Sequence, residues 1–174
     1  SLRGCQFFRS IFREIAESYP KIGAKEAYID AFTMWLVRDP EDLDVVVLPN
    51  MFGDIATDLA SVLQGGMGMA ASANLGDKHM MFEPVHGSSP KHAGKNRVNP
   101  IAMLSSLQLM LENLSLRHDD PLLDKYGNIL QQAISQHLSS DGPKTYDIGG
   151  TGTTSEVGDA IADRVRRLLR NDKA

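Results

Sequence analysis

The run Asn50-Met51-Phe52-Gly53-Asp54-Ile55-Ala56-Thr57-Asp58-Leu59-Ala60-Ser61 sets two acids four residues apart in a stretch that reads as helix. Side chains at that spacing project from one face, so the carboxylates of Asp54 and Asp58 stand together. Like charges so placed destabilise a helix by roughly 0.2–0.5 kcal/mol. A divalent cation would offset that cost, because hard cations take carboxylate oxygens. The competing reading is two solvated surface acids, with Asp54 near a helix N-terminus where the dipole favours negative charge.

A second collection of chemical groups lies in Glu83-Pro84-Val85-His86-Gly87-Ser88-Ser89-Pro90-Lys91-His92-Ala93-Gly94-Lys95. Glycines allow close approach of the backbone, serines donate hydroxyls, and Lys91, His92 and Lys95 supply positive charge, a combination suited to an anion. It is not a Walker loop, and no G-x-G-x-x-G follows a strand, so the usual dinucleotide fingerprint is absent. A plain surface Ω-loop is an equal reading of the same residues.

The elements that must carry these groups follow from periodicity. Phe7, Phe8, Ile11, Phe12 and Ile15 have helical spacing, and that helix ends before Tyr19-Pro20. Asp30 opens a second helix over Ala31 to Val37, closed by Asp39-Pro40. Leu43 to Leu48 is β-branched and bounded by Pro40 and Pro49, which predicts a buried strand leading into the Asp54 helix. Strand-to-helix transitions of that kind are where open α/β sheets hold ligands. Gly65-Gly66 ends the acidic helix. Met69 to Leu75 is rich in small residues and carries no clear signal, whereas Met80 to Val85 reads as a strand.

A helix with Asn99 as N-cap and Pro100 in its first position follows, its apolar face being Ile101, Leu104, Leu107, Leu111 and Leu114. Another runs through Leu122, Tyr126, Ile129, Leu130, Ala133 and Ile134. The last has Thr153 and Glu156 as a capping box, then Val157, Ile161, Val165 and Leu168 on one face. Helices alternating with a few strands make an α/β pattern, with too few strands for a full sheet.

Composition narrows the function classes. The 174 residues suffice for one domain or two small ones. A formal net charge of −4 argues against a partner bound by neutralising phosphates along a nucleic acid. The basic run Arg164, Arg166, Arg167 and Arg170 suits a helix C-terminus and a solvated face. Cys5 is the only cysteine, so an intrachain disulfide is excluded and a reducing compartment is compatible. No apolar stretch approaches the ~18 residues of a membrane span, and none reads as a signal peptide. The expected location is the cytoplasm, or an organelle matrix if a targeting segment precedes. The chain opens on Ser1 and enters a helix pattern at once, which suggests a piece of a longer polypeptide.

Three stretches together carry a family resemblance: Tyr28-Ile29-Asp30-Ala31, Asn50 to Ser61, and Phe82 through Pro100. In order and type they resemble the β-decarboxylating dehydrogenases, which act on isocitrate, isopropylmalate, homoisocitrate, tartrate and D-malate. The resemblance runs from about Ser1 to Glu156. It implies the C-terminal part of an isocitrate/isopropylmalate dehydrogenase-like α/β fold, not a G-x-G-x-x-G Rossmann fold. Residues 1–64 would belong to a small dimer-forming domain and residues 65–174 to the large cofactor-binding domain.

By the same resemblance Asp54 and Asp58 match acids that bind Mg²⁺ or Mn²⁺ together with the substrate. Asp30 matches a third acid, given by the neighbouring subunit, that holds the metal or relays the hydroxyl proton. Asn50 falls near the nicotinamide end of the cofactor. Glu83, His86, Gly87, Ser88 and Ser89 match the cofactor loop, and Asn99 a residue touching adenine. NAD-specific members usually have an acid and an apolar residue where this chain has Lys91 and His92. Lys91 would attract a 2′-phosphate, and Tyr146 matches a position used for that phosphate, so NADP is favoured over NAD. Gly150 stands where those enzymes carry an arginine.

The implied reaction is oxidation of a malate-type 2-hydroxy acid with hydride transfer to NAD(P), then decarboxylation and protonation of the enolate. The implied assembly is a homodimer with shared active sites, with no nucleic acid or membrane partner. Positions matching the family's catalytic lysine and tyrosine and its substrate arginines would precede Ser1. The alternative is a non-catalytic regulatory or truncated paralogue of the same fold. Substrate signals are mixed between the isopropylmalate or tartrate branch and the isocitrate branch.

Overall fold

Two proline-containing breaks divide the first third of the chain into three helices. In the computed structural model, which describes residues 2–172, the chain forms two compact units, Ser1–Ala60 and Ser61–Ala174. In the first unit, α1 (Arg3–Glu17) has the expected amphipathic spacing, yet none of its residues is buried and Phe7 remains 69% exposed. The helix is held by charge on its other side, where Arg9 and Arg13 pair with Glu26.

Helix α2 (Ile29–Arg38) ends as expected at Asp39-Pro40, where the Asp39 N–H closes on the Trp35 carbonyl at 2.8 Å. Phe32 and Leu36 of α2 and Ala56 of α3 (Asn50–Ser61) form a small buried core, with Leu43, Leu48 and Leu59 packed around it. This corrects the strand expected over Leu43 to Leu48. The segment anchors its two leucines in that core and makes no ladder, leaving Val45 94% exposed. A strand exists only when a neighbour takes its backbone hydrogen bonds, and no described residue pairs with this one.

Early in the second unit Gly65 and Gly66 take φ values of +99° and +103°, a left-handed turn that a side chain would strain and that stops the helical course. An antiparallel hairpin follows, β1 (Ala71–Leu75) against β2 (Met80–Pro84), with Ala71 opposite Pro84 and Leu75 opposite Met80. Strand β2 was expected. Strand β1 was not, because Ala, Ser and Asn have little intrinsic strand preference, and its pairing with β2 decides its form. Arg117 clamps the hairpin tip by donating to the carbonyls of Gly76 (2.7 Å) and Lys78 (3.2 Å).

Three long helices follow the hairpin, and the first of them covers it. Helix α4 (Ile101–His118) packs on both strands and on α5 (Pro121–Leu138), which packs on α6 (Thr154–Asn171). Their shared core is Ile101, Leu130, Ala133, Ile134, Val157 and Ile161, all at helical spacing. Helix α4 starts one residue later than the sequence suggests. Pro100 takes the cap position, and the Asn99 side chain still accepts the Ile101 N–H at 3.0 Å. Asp120 caps α5 through the Leu122 N–H, and the Thr153/Glu156 capping box opens α6. No helix of the described residues is long and apolar enough to cross a membrane.

His137, at the end of α5, is fully buried. Burial pushes its imidazole below the usual value of 6.5, with Arg164 and Lys144 acting the same way against the pull of the Pro143 backbone. The ring therefore takes up a proton less readily in the folded unit than in the unfolded chain as pH falls through about 6.5. Stability from this residue is present above that pH and lost below it, at up to about 1.4 kcal/mol per pH unit. Denaturant midpoints measured at pH 7.5 and 5.5 will differ more for the wild type than for His137→Leu.

Candidate functional site

In the first unit the Pro49 carbonyl accepts the Gly53 N–H at 2.9 Å and so sets the start of α3. One turn on, Asp54 and Asp58 are both exposed on the helix. Asn50 joins them, its side-chain amide donating to Asp54 Oδ2 at 3.4 Å. The result is an oxygen-rich patch of hard donors on one helix face, which suits Mg²⁺ or Mn²⁺. Asp30 sits in the first turn of α2, exposed. Among the described residues no three of His, Cys, Asp and Glu gather into a set that could hold a metal ion. The described residues of one chain thus bring two carboxylates together on α3, fewer than a metal-holding set of three.

The α3 face opposite its core contacts also differs from a simple stripe. Leu59 turns into the unit's own core, while Met51 (61%) and Ile55 (53%) stay exposed.

In the second unit β2 leads into the candidate cofactor loop. Glu83 lies on β2 opposite Ser72 and is exposed. His86 folds back, its Nδ1 lying 2.9 Å from the Gly87 carbonyl, and Gly87 and Ser88 are open to solvent. Ser89 takes φ +47°, a turn that launches the short helical turn Pro90–His92 and leaves Lys91 exposed. The structure then brings two residues distant in sequence together: the rings of His92 and Tyr146 stack with centroids 5.8 Å apart at 26°. Arg97 completes the pile, its guanidinium carbon 4.2 Å from the Tyr146 ring centre.

Arg97 was missed by sequence reasoning. The available signal was charge: the thirteen residues from His86 to Val98 hold three cations and no acid, in a chain whose net charge is −4.

Asn99 is buried, and its side chain is spent within the protein. Its amide donates to Asp147 Oδ2 (3.0 Å) and lies 3.5 Å from Met69 Sδ, while its oxygen receives the Ile101 N–H. Its oxygen thus serves the first N–H of α4 from one residue ahead of the Pro100 cap position, a role compatible with the adenine contact implied by the resemblance. Gly68 makes the cluster possible, since a Cβ there would stand 2.6 Å from Asp147 Oδ2 and 2.9 Å from Asn99 Cβ. Asp147 is a second residue sequence reasoning passed over, and its place beside Tyr146 was the only hint. At Gly150 a side chain would collide with Lys144, so this backbone has no room for the arginine that the resemblance sets against that position.

The far side of the loop is fastened to α6. The Asn96 carbonyl accepts the Thr154 N–H (3.0 Å), and its side-chain oxygen accepts both the N–H (3.1 Å) and the hydroxyl (3.0 Å) of Ser155. Thr154 Oγ1 donates to the Val98 carbonyl at 2.5 Å. Beside these contacts the Thr153 N–H and hydroxyl hold the Glu156 carboxyl below its usual range.

Comparison with known proteins places these features in company. The model of the isocitrate/isopropylmalate dehydrogenase family matches residues 2–161. A 3-isopropylmalate/3-methylmalate dehydrogenase of Methanocaldococcus jannaschii is 43% identical over 159 residues, 91% of this chain and 45% of that protein. A probable tartrate dehydrogenase/decarboxylase of Bacillus subtilis is 41% identical over 93% of this chain and 44% of its own length. The crystal structure of isocitrate dehydrogenase from Methylococcus capsulatus superposes with a TM-score of 0.82 at 37% identity, covering 91% of this chain and 45% of that one. The chain therefore spans a little under half the length of these three relatives.

Proposed function

Because the chain belongs to the isocitrate/isopropylmalate dehydrogenase family, we propose that it serves an NAD(P)- and metal-dependent enzyme that oxidatively decarboxylates a malate-type 2-hydroxy acid. The observation that carries this reading is the exposed pair Asp54 and Asp58 on α3, with Asn50 beside it, in a chain whose relatives are named as dehydrogenases of hydroxy acids.

In this reading Asp54 and Asp58 hold Mg²⁺ or Mn²⁺ against the substrate's hydroxyl and carboxylate oxygens. The bound ion supplies Lewis-acid polarisation of the reacting oxygen. Asp30 of a second subunit completes the oxygen set or takes the hydroxyl proton. Asn50 orients the nicotinamide end, and the loop of Glu83, His86, Gly87, Ser88 and Ser89 takes the rest of the cofactor. Lys91, His92 and Tyr146 face the adenosine 2′-position and favour NADP. The assembly is a two-fold dimer, supported by the exposed Met51 and Ile55 on the helix that carries the acids.

The test is absorbance at the reduced-nicotinamide band with Mn²⁺, NADP or NAD, and in turn 3-isopropylmalate, isocitrate, tartrate and D-malate, with carbon dioxide release measured in parallel. Metal-dependent reduction of NADP coupled to carbon dioxide with one of these acids is the expected result. Nucleotide binding without turnover on any of them would point instead to a non-catalytic member of the family.

A further inference from the structure

We infer that Arg97 is a specificity-determining residue of the cofactor site, gripping a phosphomonoester on the adenosine ribose together with Lys91. This rests on the cofactor reading above and adds a residue to it.

Three observations converge. The guanidinium lies 4.2 Å from the centre of the Tyr146 ring, whose other neighbour is the stacked His92. A planar guanidinium on an aromatic face keeps its edge N–H groups free to point outward. No hydrogen bond or ion pair of the described residues uses them, whereas Arg117 and Arg164 spend theirs on backbone and side-chain oxygens. The side chain is exposed, so an incoming anion meets it directly.

The second observation is the backbone on either side of Arg97. Asn96 is held at φ +47° by three hydrogen bonds from Thr154 and Ser155, and the Val98 carbonyl is held by Thr154 Oγ1. Arg97 is therefore presented from a fixed turn, and less freedom is lost when it closes on a ligand. The third is the charge of the segment. Lys91, Lys95 and Arg97 stand in the stretch from His86 to Val98, which contains no acid, and Asp147, next to Tyr146 in sequence, is engaged by Asn99. A dianion is the partner such a set of donors fits, and a fork of N–H groups binds phosphate oxygens in pairs.

The experiment is calorimetric titration of the full protein with 2′,5′-ADP and with 5′-ADP, in wild type, Arg97→Met and Arg97→Lys. Wild type is expected to prefer 2′,5′-ADP. Met should lower affinity for 2′,5′-ADP roughly tenfold and for 5′-ADP by less than about twofold, and Lys should fall between, since it keeps charge without the fork. The salt dependence of 2′,5′-ADP binding should also become shallower in Arg97→Met, which a packing role alone would not produce. If wild type prefers 2′,5′-ADP and Met leaves that preference intact, or weakens both ligands equally, Arg97 is not the determinant and the cofactor reading survives. If wild type shows no preference or prefers 5′-ADP, the NADP reading itself fails and this assignment fails with it.

Discussion

Asp54→Asn will lower the affinity of the assembled enzyme for Mn²⁺ by about 10- to 100-fold or more, since even substitutions one shell removed from a metal cost that much. The change keeps the shape of the side chain and removes its charge. The carboxylate is exposed on α3 and accepts one long hydrogen bond, from Asn50 at 3.4 Å, so little of the fold depends on it. Removing one of two like charges a turn apart should, if anything, raise helix stability by roughly 0.2–0.5 kcal/mol. Affinity and stability therefore move in opposite directions, which separates a lost ligand from a damaged fold. Titration calorimetry with Mn²⁺ reads the first and thermal unfolding without metal the second. An unchanged Mn²⁺ affinity would remove these acids from the chemistry.

Lys91→Asp is expected to shift the NADP-to-NAD ratio of apparent Michaelis constants by about 10- to 100-fold, or roughly 1.4–2.8 kcal/mol, against NADP. Lys91 is exposed in the short turn after Ser89, in the stretch from His86 to Val98 that holds no acid. Substituting an acid both withdraws an attraction and adds a repulsion toward a 2′-phosphate, while a ribose hydroxyl gains an acceptor. NAD should bind no worse, and the contrast should shrink as ionic strength rises. Equal effects on the two cofactors would show that Lys91 does not read the 2′-position. Combined with Arg97→Met, the two substitutions touch one anion and should depart from additivity.

The pairing of the candidate acids was legible because it is carried by one short run. Asp54 and Asp58 needed only helical spacing, and α3 forms over Asn50–Ser61 with both acids exposed. Two boundary signals were equally legible, the Thr153/Glu156 box and the Gly65-Gly66 stop, which act within a few residues of backbone; the Asp120 cap of α5 was not read from the sequence. Leu43 to Leu48 was misread for the opposite reason. Its β-branched pattern states a preference, but a strand needs a neighbour with free hydrogen-bonding groups, and the described residues provide none. Strand β1, poor in β-branched residues, forms because β2 does provide one.

By itself, then, the sequence determined the helices, the Thr153/Glu156 capping box, the spacing of the paired acids and the family to which they belong, since each rests on local periodicity or on contiguous motifs. Only the tertiary structure decided that His92, Arg97 and Tyr146 form one pile, that Asn99 is spent on Asp147 and the start of α4, and that Leu59 turns inward while Met51 and Ile55 stay exposed. Contacts between residues some fifty positions apart depend on how helices and loops pack, and no local pattern encodes that distance.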